Sequence, residues 1–120
     1  MNRIISSLKK NQTKAAIFSF SIVFICCKSA QYLAPSNADV TVAKSHWSGA
    51  TLDQLNQGYS IYSDKCTECH GMKKPEDFSV EDWNKIMPSM GKKARLDSNQ
   101  YNLVYHYILA KRETVLASKK

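Results

Sequence analysis

Residues 51–71 read TLDQLNQGYSIYSDKCTECHG, and the architecture of the domain turns on them. Thr51 and Gln54 form a capping-box pattern, in which a hydroxyl and an amide satisfy backbone donors at the start of a helix. Behind them Leu52, Leu55, Tyr59 and Tyr62 recur at helical spacing, so the stretch opens with an amphipathic helix. It closes on Cys66-Thr67-Glu68-Cys69-His70: two thiols three positions apart, with an imidazole directly after the second.

C-x-x-C-H is the attachment pattern for c-type haem, and the spacing has a chemical reason. Each thiol can form a thioether with one of the two haem vinyl groups, and the next residue then lies under the iron. Cys66 and Cys69 are therefore expected to hold one covalent haem c, with His70 as an axial ligand of its iron. Gly71 is expected to let the chain turn away without a Cβ clash. A zinc site would need a second ligand pair, and His46 and His106 stand isolated. A redox dithiol would come with a βαβ pattern, which is missing. A structural disulfide three residues apart on a helical turn is geometrically poor.

Working outward, two further segments carry helix signals. Ser79 and Asp82 suggest a cap, with Phe78 and Trp83 at the staple positions, and Pro88 is expected to end that helix. Asp97 and Gln100 begin the last one, with Leu96 and Tyr101 as its staple. Tyr101, Val104, Tyr105, Ile108 and Leu109 predict a single apolar stripe along it. No run alternates in the manner of a strand and no hairpin turn occurs, so the fold class is all-α. Residues 51–120 are the expected domain, and so short a chain is marginal on side-chain packing alone.

Ahead of it, residues 1–27 have the layout of an export signal. Arg3, Lys9, Lys10 and Lys14 precede the apolar run AAIFSFSIVFICC, residues 15–27. Its 13 residues are fewer than the roughly 20 that a spanning helix needs and match a signal core. Cys27 or Cys26 stands where a bacterial lipoprotein would be lipidated, although Ile25 or Cys26 fills the place of the usual small residue. An uncleaved anchor and ordinary cleavage are the alternatives. Residues 28–50 show neither periodicity and read as a tether, with Tyr32, Leu33, His46 and Trp47 expected to lie against the domain. The expected location is the bacterial periplasm or the periplasmic face of a membrane, tethered by the N-terminus. The net charge of +7 is mostly leader: from residue 28 onward 13 basic residues face 10 acidic ones. A nucleic-acid partner is therefore not expected.

Residues 51–120 resemble the class I c-type cytochromes. Beyond the attachment motif, Gly58 and Tyr62 stand eight and four residues before Cys66, as a glycine and an aromatic do in that family. The family packs them against an aromatic on its last helix, and Tyr107 is the matching position. Trp83, Ile86, Met90 and Leu96 follow in the order seen in small monohaem domains. The resemblance implies three main helices wrapped around the covalent haem and a methionine as sixth ligand. Met72 is too close to His70 to cross the haem; Met90, on the chain leaving the second helix, is favoured, with Met87 as the alternative. His46 and His106 are further, weaker alternatives.

The expected haem pocket comprises Tyr62, Ile61, Ile86, Trp83, Leu96 and Val104, with the Trp83 indole either on a propionate or satisfied elsewhere in the core. Lys65, Lys73, Lys74, Lys85, Lys92, Lys93 and Arg95 read as a solvated mixed surface or as a docking ring for an acidic partner. Lys92 or Lys93 is a candidate to replace Met90 on the iron at alkaline pH. A thioether ligand favours Fe(II), and a six-coordinate iron has no open position. The implied function is therefore single-electron transfer between respiratory redox proteins, not catalysis. The alternatives are a haem enzyme or gas sensor with an open distal site, and a fixed haem subunit of a larger membrane oxidoreductase.

Overall fold

The computed structural model describes residues 33–120. The leader, including Cys26 and Cys27, lies outside the described residues. The described chain is all-helical: α1 Asn37–His46, α2 Leu52–Lys65, a 3₁₀ turn Pro75–Asp77, α3 Val80–Lys93 and α4 Ser98–Ser118. None of these helices is long and apolar enough to cross a membrane.

Each α-helix begins with a capping box. Ser36–Asp39, Thr51–Gln54, Ser79–Asp82 and Asp97–Gln100 bond reciprocally across the first turn. At α4 the Asp97 carboxylate accepts from the Gln100 N–H at 2.8 Å. Asp97→Ala is expected to cost about 1 kcal/mol in a urea titration, because that donor loses its partner.

The core forms where α2 crosses α4. Leu55 and Tyr62 meet Val104, Tyr107 and Ile108, all under 5% exposed. Gly58 sets the approach: a Cβ there would lie 2.1 Å from the Leu103 carbonyl oxygen and 2.9 Å from Tyr107 Cβ. The Tyr62 and Tyr107 rings lie 5.7 Å apart at 49°, so the expected glycine–aromatic contact between these helices is present.

Three expectations need correction. Residues 28–50 are not wholly an irregular tether, because α1 occupies Asn37–His46 and packs on α4. Asp39 is 1% exposed and Lys111 5% at the side chain, joined at 2.7 Å. Lys111 also donates to the Ala34 carbonyl at 2.8 Å, and the Tyr107 hydroxyl donates to the Leu33 carbonyl at 2.8 Å. This second partner widens the buried surface of α4. Tyr107, Ala110 and Lys111 are buried, while Tyr101, Tyr105 and Leu109 of the expected stripe are only half-buried.

Pro88 does not end α3, which runs on to Lys93. The helix is held on both sides of the proline. Trp83 Nε1 donates to the Pro75 carbonyl at 2.8 Å, and Gly91 seats against Tyr101. Finally, Gly71 has an ordinary negative φ, and a Cβ there would touch nothing within 4 Å. The turn after His70 does not require glycine.

Candidate functional site: a thiol, imidazole and thioether cleft

Helix α2 ends at the C-x-x-C-H motif. Cys66 is its C-cap, with its N–H on the Tyr62 carbonyl at 3.3 Å, and the Thr67 hydroxyl bonds back to the Ser63 carbonyl. The chain then leaves the helix, and the Tyr62 hydroxyl ties it down by donating to the Lys73 carbonyl at 2.6 Å. Phe78 meets Trp83 edge to face, with ring centroids 5.2 Å apart. Arg112 Nε holds the Phe78 carbonyl from α4 at 2.7 Å.

Between this loop and α3 lies a cleft, partly open to solvent, with a cavity volume of about 180 Å³. Its walls bring together Cys66, Cys69 and His70 from the motif, and Met87 and Met90 from α3. Tyr62, Phe78, Trp83 and Ile86 supply apolar surface, and Lys65, Lys73 and Lys93 also border it.

Cys66 and Cys69 are not joined to each other in a disulfide. Cys66 is half-buried, and burial pushes its thiol pKa up, favouring the uncharged form. His70 is exposed, with Nδ1 2.9 Å from the Gly71 carbonyl. A carbonyl only accepts, so Nδ1 donates to it and Nε2 is the nitrogen left for a further partner, an arrangement common to metal-binding imidazoles. Burial raises the Tyr62 phenol pKa well above its usual value, aided by the nearby Cys66. It acts as a neutral hydrogen-bond donor.

Of the pocket residues expected from sequence, Tyr62, Trp83 and Ile86 line the cleft. Val104 is fully buried in the core, and neither Ile61 nor Leu96 is among the lining residues. Because the Trp83 indole N–H is already bonded to Pro75, the second of its two expected roles is the observed one. Phe78 was legible as a helix staple but not as a pocket wall. Its backbone carbonyl is held by Arg112, a contact with no local sequence signature.

Neither His46 nor His106 lines the cleft. His46 pairs with Glu113 at 2.9 Å, and His106 stacks on Trp47 with centroids 3.9 Å apart. Among the charged residues considered for a docking ring, Lys65, Lys93 and Arg95 share a polar hollow with Glu68 beside the cleft. Lys93, and not Lys92, borders the main cleft.

Among the described residues no group of three or more His, Cys, Asp or Glu is arranged to hold a metal ion. The donor set here is instead two thiols, one imidazole and two thioethers along an apolar cavity, which fits a covalently anchored haem. No family model, curated protein or solved structure matches the chain.

Proposed function

We propose that the protein is a single-electron carrier of c-type cytochrome character, exported and tethered at the periplasmic face of a membrane. The observation that carries this reading is the convergence of Cys66, Cys69, His70 and the α3 methionines on one apolar cleft. Cys66 and Cys69 would form the thioethers, His70 would be one axial ligand, and Met90, or Met87, the other. When bound, the haem supplies a one-electron Fe(III)/Fe(II) couple.

The chain's own part is to hold that group still and keep water away from it. Phe78, Trp83 and Ile86 provide an apolar wall that resists charging of the interior. The Tyr62–Lys73 and Trp83–Pro75 hydrogen bonds fix the loop that joins the two sides of the cleft. The Gly71 carbonyl orients His70. Such a site suits transfer between redox proteins at the cleft mouth, with no bond made or broken in a substrate.

The test is expression in a host that matures c-type cytochromes, followed by denaturing electrophoresis with a haem stain. Wild-type protein should retain haem after denaturation and be reversibly reduced by dithionite. Cys66→Ala/Cys69→Ala should lose all stain at the protein's position. A colourless wild type, or haem that extracts into acid acetone, would refute the assignment.

A further inference from the structure

The cleft contains two candidate sixth ligands. Met87 and Met90 both line it from α3, three residues apart and so on one helical face. Met87 is 3% exposed, whereas Met90 is half-buried. A thioether has no hydrogen-bond donor to strand, and its three rotatable bonds let it fill different positions in a pocket.

Pro88 lies in the helix between them. Pro88 lacks an N–H, so the ladder bond to the Asn84 carbonyl is absent in the turn that carries both sulfurs. On either side the helix is pinned, by Trp83 on the Pro75 carbonyl and by Gly91 against Tyr101. Helix α3 also packs on α4 far less extensively than α2 does.

Resting on the reading above, we propose that Met87 and Met90 form an exchangeable ligand pair, with Met87 taking the sixth position when Met90 is lost or withdrawn. The site would then stay six-coordinate, and closed to small diatomic ligands, with either methionine alone. Met72 does not contribute: it is exposed and outside the cleft.

The experiment uses full-length, haem-loaded wild type, Met90→Leu, Met87→Leu and the double variant. Leucine keeps the side-chain volume and removes the sulfur, so packing survives. The readouts are the sulfur-to-iron charge-transfer band, the spin state and carbon monoxide binding by the reduced form. Both single variants should remain low-spin and keep the band, at positions shifted from one another, and bind carbon monoxide slowly. Only the double variant should lose the band, become high-spin and bind it at once. A high-spin Met90→Leu protein would overturn the exchange, leaving Met90 as a sole ligand. A band that survives in the double variant, or is missing from a wild type with covalent haem, would also overturn it. Failure of the underlying reading is seen separately, as wild-type protein without covalent haem, and would remove both.

Discussion

Lys111→Ala is expected to destabilise the domain by about 3–5 kcal/mol, because it strands a buried carboxylate. For a domain of this size that is a fall in Tm on the order of 20 °C. In the wild type, burial pushes the Asp39 carboxyl pKa up, but hydrogen bonds from Lys111 and from the side chain and backbone of Ser36 more than reverse it, and the net shift is downward. All these donors converge on Oδ2, at 2.6–2.8 Å, while Oδ1 is buried with no hydrogen-bond partner. Without the ammonium, Ser36 alone faces the charge.

The pH dependence follows from the direction of that shift. A carboxyl with a depressed folded pKa contributes stability above its unfolded value, about 3.9, and loses it as pH falls through the folded value. Wild type should therefore weaken in acid through this pair, and the gap between wild type and Lys111→Ala should narrow below about pH 4. Asp39→Ala/Lys111→Met should recover much of the loss, since an apolar replacement leaves no charge to compensate. Urea titrations of the three proteins at neutral pH and near pH 3 check this. A loss under about 1 kcal/mol for Lys111→Ala would show that the pair is not dry.

Gly58→Ala should be the second most damaging change, although helix propensity alone favours alanine by about 1 kcal/mol. The new Cβ would stand 2.1 Å from the Leu103 carbonyl oxygen and 2.8 Å from its carbon, and backbone atoms cannot rotate aside. Helices α2 and α4 must separate, opening the Tyr62–Tyr107 layer, at a cost of about 1–3 kcal/mol or more. Because α2 carries Tyr62 and Cys66 into the cleft, thermal melting should be accompanied by a change in Trp83 environment, read by fluorescence. Gly71→Ala is the control. With nothing near its Cβ it should stay within about 0.5 kcal/mol of wild type.

The helices that were legible in sequence are those whose caps and apolar spacing agree: Thr51–Gln54 before α2, Ser79–Asp82 before α3, and Asp97–Gln100 before α4. Helix α1 also opens on a capping box, Ser36 and Asp39, but no apolar stripe stands behind it. Val40, Thr41 and Val42 are β-branched residues with modest helix preference. Its stability comes from Asp39 and Ala43 buried against α4, which no local pattern announces. Pro88 misled for the same reason, since tertiary pins on both sides outweigh one missing hydrogen bond. At the site, the sequence singled out the motif residues and the two methionines by their chemistry, and the fold brings them to one cleft. Phe78 and the engagement of the Trp83 indole were not, because both depend on partners that the fold brings in from elsewhere in the chain.

The fastening of Leu33 and Ala34 to Tyr107 and Lys111 also sets a leash length. Cys27 and Leu33 are six positions apart, and a fully extended chain covers at most about 20 Å over that distance. An attachment at Cys27 would therefore hold the folded body against its support with little more than its own radius of play, whereas a tether running to residue 50 would have let it roam several times as far. A body so confined would meet partners by swivelling on its mooring. The orientation of the cleft relative to α1, and not the rate of diffusion, would then govern which neighbour it can reach.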